Sequence, residues 1–159
     1  MKSRKTLAMT LVVAVAVMAA AGLVANLPAV SQEEGAMSGA AQDGLFIHLS
    51  HGPDDPQRLL MGLQMANIMA NDGKDVLVYC DIEAVNILTK EADRVEKMGF
   101  RSSEELLASL LENDVAVRAC PSCMAVAGYS ADDLREGVKL ADKDEFFTFT
   151  EGRILTMDY

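Results

Sequence analysis

Residues 44–80 read GLFIHLSHGPDDPQRLLMGLQMANIMANDGKDVLVYC, and the fold turns on them. Both ends, 44–50 and 74–80, are apolar, β-branched or aromatic runs bounded by Gly and polar residues. That is the pattern of strands buried in a parallel sheet. Between them a helix is predicted over 57–71. Asp54 or Asp55 can cap its start, Pro56 suits its first position and Gly73 can close its end. The result is a strand–helix–strand unit, whose crossover is right-handed in nearly every known case.

The helix itself carries information. Gln64, Asn67 and Asn71 fall at i, i+3 and i+7 and share one narrow stripe. Leu59, Met61, Leu63, Met65, Ala66, Ile68, Met69 and Ala70 cover most of the remaining circumference. A helix apolar so far round is buried on more than one side. One side meets the sheet, and the other is expected to meet a second copy of the chain. A homo-oligomer is therefore expected.

Downstream, Cys80 leads into a short helix and a loop of mixed charge. Ser102 and Glu105 have capping-box spacing at the start of a helix over 103–114. VAVRAC, residues 115–120, is the third buried strand. Ser130 caps a predicted amphipathic helix over 131–142. EFFTFT (145–150) and RILTMD (153–158) close the chain across the turn-prone Glu151-Gly152. Strands alternating with helices make an α/β open sheet of about five strands, mostly parallel, the expected class.

Upstream, Lys2, Arg4 and Lys5 precede an uncharged run from Thr6 to Gln32. A basic segment ahead of an apolar one is the composition of an export signal, and Ala29-Val30-Ser31 offers small residues for cleavage before Gln32. Uncut, residues 6–30 are long enough to anchor the chain in a membrane, with the basic end inside. Either way the domain is expected outside the cytoplasm, periplasmic or otherwise extracytoplasmic, with no other membrane contact. The expected organisation is a signal or anchor at 1–31, a Gly/Ala/Ser-rich flexible linker at 32–43, and one domain at 44–159.

Without the three basic residues of the leader the formal charge falls from −10 to −13. So acidic a domain is a poor binder of nucleic acid or anionic membrane. Three cysteines leave at least one thiol unpaired.

In open parallel sheets, ligands bind beyond the carboxyl ends of the strands. Strand one ends in His48, Ser50 and His51, strand two in Cys80, and strand three in Cys120 with Cys123 just beyond. Every cysteine and histidine thus maps to one rim. Cys120 stands where a strand hands over to PSCMAVAG, and the dipoles of a helix start favour its thiolate. Pro121 loses no hydrogen bond in the first turn. Cys-x-x-Cys spacing lets Cys123 reach Cys120. The pair reads first as thiol chemistry, with a structural disulfide or buried thiols, and then metal ligation, as the alternatives.

A Cys80–Cys120–Cys123–histidine metal set fits no standard zinc spacing, and no residue is assigned as a metal ligand. His48 reads as strand filling and His51 as the better proton-transfer residue. Cys80 reads as a small buried hydrophobe. The ten methionines read as core and interface filling rather than copper ligands. HLSHGPDDP lacks the glycine fingerprint of a phosphate site, and no G-x-S-x-G elbow occurs. A dinucleotide enzyme or serine hydrolase is not expected, nor is a cofactor. A thioredoxin-like oxidoreductase lacks its Trp before the first cysteine.

HGPDDPQRLLMGLQMANIMANDGKDVLVYCDIEAVNIL and VAVRACPSCMAVAGYSADDL resemble the first strand–helix–strand unit and the cysteine segment of the DsrE/DsrF/TusD (YchN-like) sulfur-relay family. The resemblance runs over about residues 44–159. It implies a three-layer α/β/α sandwich assembled as trimers or hexamers. It also implies a strand-end cysteine, here Cys120 eight residues before Gly128, that carries persulfide sulfur. Cys123 matches the second cysteine of YchN-like members. The function so implied is an exported sulfur-handling protein passing sulfur from Cys120 to a partner thiol, with Cys123, His51 or Cys80 assisting. The alternative is a non-catalytic oligomeric module whose cysteines form a disulfide or bind metal.

Overall fold

The structure, a computed structural model, describes residues 41–159. The expected leader at 1–31 and nearly all of the expected linker lie outside the described residues. Strand β1 (Gly44–Leu49), helix α1 (Pro56–Asn71) and strand β2 (Asp75–Cys80) form the expected unit. β1 and β2 are parallel, with Leu45 opposite Val76 and Leu49 opposite Cys80. The Asp55 carboxylate accepts the Arg58 N–H at 3.2 Å, and Pro56 sits in the first turn. Gly73 closes α1 at φ +73°, a left-handed conformation that favours glycine. There the Lys74 N–H reaches the Met69 carbonyl at 3.0 Å.

A 3-10 segment (Ile82–Ile87) follows, then α2 (Ser103–Glu112), β3 (Ala116–Ala119), α3 (Pro121–Val126), β4 (Lys139–Leu140), α4 (Glu145–Thr148) and β5 (Ile154–Asp158). The five strands lie in the order β4-β3-β2-β1-β5, and every pairing is parallel. The α/β class holds, with a sheet wholly rather than mostly parallel.

Two elements differ from expectation. Residues 131–142 form no long helix: Ala131–Asp133 is one 3-10 turn. The Ser130–Asp133 capping box is present, with the Ser130 N–H donating to Asp133 at 2.7 Å. Beyond it, Arg135 N–H donates to the Leu88 carbonyl at 3.0 Å and Gly137 adopts φ +87°, which pulls the chain out of helix. Residues 145–150 are not a strand either. Glu145–Thr148 is one helical turn, because Phe146 packs edge-on against Phe46 and Tyr79 and Glu145 pairs with Arg118. These tertiary contacts override the strand propensity of FFTF.

The sheet has two unlike faces. Leu45, Ile47, Leu49, Val76, Val78, Cys80, Val117 and Ala119 pack under α1 and α2 against Leu59, Leu60, Leu63, Leu106, Leu107 and Leu110. Each Leu, Ile or Val among them, fully buried, contributes about 1.5–3 kcal/mol. On the other face stand Phe46, His48, Tyr79 and Arg118, roofed by α4. The third layer of the expected sandwich is therefore a single helical turn. Gly44 permits that roof, since a Cβ there would lie 2.7 Å from the Phe149 ring.

α1 is covered on a second side by this same chain. Asn67, assigned by spacing to a polar stripe, is 5% exposed and donates to the Leu63 carbonyl at 2.9 Å and to Leu106 of α2 at 3.1 Å. Met61 and Ile68 remain open at 42% and 45%. Gln42 and Asp43, read as linker, are tied in: Gly152 N–H donates to the Gln42 carbonyl at 2.8 Å and Arg153 N–H to Asp43 at 2.9 Å. Among the described residues no helix is long and apolar enough to cross a membrane.

Candidate functional site

All five strands run the same way, so their carboxyl ends share one rim. Cys120 sits one residue past β3. Its N–H donates to the Cys80 carbonyl at 2.8 Å, which prolongs the ladder before the chain turns into α3. Cys120 is the N-cap residue of α3 at φ −63°, ψ 118°, and Pro121 takes the first turn. The Met124 N–H returns to the Cys120 carbonyl at 3.0 Å. Gly128, at φ +84°, ends the helix after less than two turns. The Cys-x-x-Cys segment is thus a tight loop-and-turn that sets both sulfurs at the rim, each partly exposed.

The two thiols differ. Burial raises the pKa of Cys120, but hydrogen bonding from the Tyr79 hydroxyl, the N–H groups of Cys123 and Ser122 and the Cys123 thiol outweighs it, and the net shift is downward. Cys123 moves upward: burial raises it, and the Cys120 sulfur and Asp81 add to that against hydrogen bonding from the Ile82 N–H. Tyr79 is raised too, by burial and then by Cys120, so its hydroxyl keeps its proton and acts as donor. Donors around the sulfur favour the thiolate, which is the nucleophilic form of the residue.

Tyr79, Asp81 and Ile82 were not singled out by the sequence. The usable signal was alternation in DVLVYC: Val76, Val78 and Cys80 face the core, which turns Tyr79 to the opposite face beside the rim. Ile82 adopts φ +45°, an outlier for a β-branched residue, and this turn brings its N–H to Cys123. Gly52 lets the turn settle, since a Cβ there would meet the Glu83 carbonyl oxygen at 2.2 Å.

The structure places the other sequence candidates as follows. Cys80 is wholly buried in the core, and burial raises its thiol pKa strongly. Its carbonyl, not its sulfur, serves the site. His51 is held locally: its Nδ1 lies 2.7 Å from Asp54 and its Nε2 3.0 Å from Arg58 Nη1. Arg58 can only donate, so Nε2 accepts and the ring proton sits on Nδ1. Neither partner belongs to the cysteine pair. The Ser50 hydroxyl donates to the Tyr159 carbonyl at 3.1 Å and ties β1 to the end of β5.

His48, read as filling, is the better connected histidine. Its Nδ1 is 2.8 Å from Asp158 and its Nε2 3.0 Å from Asp81. Its ring stacks on Tyr79 at 5.7 Å. Burial opposes protonation, yet the two carboxylates raise its pKa overall. Among the described residues no three His, Cys, Asp or Glu side chains converge as a metal-holding cluster.

Beside the pair lies a groove of about 540 Å³ lined by Ile82, Glu83, Asn86, Ser122, Cys123 and Val126 among others. A larger share of apolar wall surrounds a second pocket of about 380 Å³ near Asp43, Lys74 and Arg153. It lies at the opposite, amino-terminal end of the strands, away from both sulfurs.

Residues 43–152 match the DsrE/DsrF-like family model. No curated protein matches the chain. Among solved structures, the YchN protein from E. coli is similar with TM-score 0.58 and 19% identity, over 73% of this chain and 99% of that one. A protein of unknown function, MTH1491 from Methanobacterium thermoautotrophicum, gives TM-score 0.53 and 17% identity over the same shares. At such identities the likeness is one of fold.

Proposed function

The chain belongs to the DsrE/DsrF-like family, and on that premise we propose that it carries sulfur as a persulfide on Cys120 and passes it to a partner thiol. The observation that carries the reading is the place of one sulfur: Cys120 prolongs the β3 ladder, caps a short helix and is partly exposed at the rim, where the Tyr79 hydroxyl, the Cys123 thiol and two backbone N–H groups favour its anion. The same donors suit the terminal sulfur of a persulfide anion, which spreads its charge over the same space.

In loading, the Cys120 thiolate attacks a donor's sulfane sulfur, and the electron pair of the broken bond leaves with the donor. In unloading, an acceptor thiolate takes the outer sulfur and returns Cys120 as thiolate. Cys123 offers a second exit. Its thiolate attacks the Cys120 sulfur, hydrosulfide departs, and the disulfide left behind is reduced by a partner dithiol. Its raised pKa keeps it protonated while Cys120 loads.

The domain acts outside the cytoplasm in this proposal, exported or anchored by residues 1–31. It works as a homo-oligomer, a trimer or hexamer. Met61 and Ile68 on α1, with Ile154 at 39% and Leu155 at 54% on the open edge of β5, supply exposed apolar surface for assembly.

The test is intact mass of the full chain after incubation with a sulfane donor. One added sulfur atom on the native protein, absent from Cys120→Ser, is expected. Equal addition to both proteins removes Cys120 from the role. The mass of the unreduced protein also reports leader cleavage and any disulfide.

A further inference from the structure

The groove beside the cysteine pair has a chemical character of its own. Its volume of about 540 Å³ falls within the ~300–1,000 Å³ of small-molecule sites. Ile82 and Val126, 60% and 90% exposed, are two of its walls and set apolar surface beside the Cys123 thiol. Cys123 lies on the short helix that Cys120 caps. A carrier lying on those walls brings its sulfur to the pair.

The charged side chain in the lining of this groove is acidic. Glu83 is part of its wall, with its carboxylate held 3.0 Å from the Asn86 amide. Asp81 stands close enough to act on Cys123. Among the described residues lining the groove, none is Lys or Arg. An oxyanion donor therefore enters against the Glu83 carboxylate with no Lys or Arg on the walls to offset it, whereas an uncharged organic group gains apolar contact.

Resting on the carrier reading above, we propose that this groove selects sulfane donors carried on an uncharged apolar group, of the class R–S–SH, over oxyanion donors such as thiosulfate. In the step, the Cys120 thiolate attacks the terminal sulfur of R–S–SH. The new Cys120 S–S bond forms as the donor's S–S bond breaks, and its electron pair leaves on R–S⁻, which takes a proton from water. Cys120 becomes Cys–S–SH, and no oxidant is consumed.

The experiment loads the full-length reduced protein with an alkyl persulfide whose carrier group is uncharged and, separately, with the dianion thiosulfate, following added sulfur by intact mass. Each rate is divided by that of a simple free thiol with the same donor, which removes intrinsic reactivity. The alkyl donor is expected to be favoured by about tenfold or more, the low end of charge-steering effects. Glu83→Lys should raise the normalised thiosulfate rate and narrow the ratio, and Glu83→Gln should do so by less. Addition of salt should narrow it as well. Equal normalised rates for the two donors, or a ratio indifferent to both Glu83 variants, overturn the selectivity while leaving the carrier reading intact. Sulfur gained from neither donor overturns the carrier reading itself.

Discussion

Cys120 caps the short helix that carries Cys123, and the two members of the pair act on each other and shift in opposite senses, Cys120 downward and Cys123 upward. One residue of the motif is prepared to attack while the other keeps its proton. Their inequality comes from the local chain path. Cys120 ends a strand ladder and receives the N–H groups of Ser122 and Cys123, whereas Cys123 lies inside the short turn and faces Asp81.

Tyr79→Phe removes a donor without altering ring packing against His48 and Phe146. A hydrogen bond to a charged group is worth about 1.5–3 kcal/mol, so the Cys120 pKa should rise. Iodoacetamide alkylation at neutral pH should slow by about tenfold or more, and the rates should converge in strong alkali. A pH–rate profile identical to the parent's would remove Tyr79 from the site.

Cys123→Ala and Cys123→Ser separate the two services of that residue. Serine can still donate to the Cys120 sulfur, but alanine cannot. Alkylation of Cys120 is expected to slow more in Cys123→Ala than in Cys123→Ser, while neither variant releases hydrosulfide through an internal disulfide. The reverse order of rates contradicts the donor role.

His48 has a raised pKa in the folded state, so its ion pairing contributes stability that is complete below its unfolded value of about 6.5. That contribution fades as pH rises through the higher folded-state value. Urea midpoints of the parent and His48→Gln should differ most below about pH 6 and draw together as pH rises above the unfolded value. A gap that widens with pH has the wrong sign.

Arg118 is buried at 8% beneath α4, and its guanidinium reaches Glu145 with Nε 2.6 Å from Oε2. Glu145→Ala leaves that cation without its partner and loosens the roof over Phe46 and Tyr79. A loss of about 1–3 kcal/mol is expected in chemical denaturation. Loss below about 0.5 kcal/mol means the pair is solvated rather than structural.

Gly52→Ala tests the seat of the 81–84 turn. A methyl 2.2 Å from the Glu83 carbonyl oxygen forces the turn outward at a cost of about 1–3 kcal/mol. Because Ile82 and Glu83 move with it, Cys123 should lose its N–H contact, visible as slower sulfur loading beyond what the stability loss explains. Unimpaired stability and loading would show that this loop yields freely.

Much of the frame could be read from the residues, and for definite reasons. Pro56, Gly73 and the Ser102–Glu105 box punctuate helices locally, so α1 and α2 fell where their spacing put them. The parallel sheet followed from apolar strands alternating with helices. The failures arose where distant contacts decided. Ser130 and Asp133 made their box, but pairing of Arg135 with Leu88 and the left-handed Gly137 cut the helix at once. FFTF turned helical because Arg118, 27 residues earlier, holds Glu145. At the site, mapping strand ends to one rim located Cys120 and Cys123. It could not rank His48 over His51, because the ranking depends on Asp158 arriving beside β1 from 110 residues away. Nor does any local pattern announce that Ile82 adopts a positive φ.

That last residue sets up a conflict for anyone hardening this protein against heat. A branched side chain at φ +45° holds about 1–3 kcal/mol of backbone strain, and asparagine or glycine would relieve part of it. A screen rewarding melting temperature alone would therefore drift toward replacing Ile82. The gain would come at the expense of an apolar groove wall and an accurately aimed amide, leaving a sturdier protein with a slacker grip on its cargo.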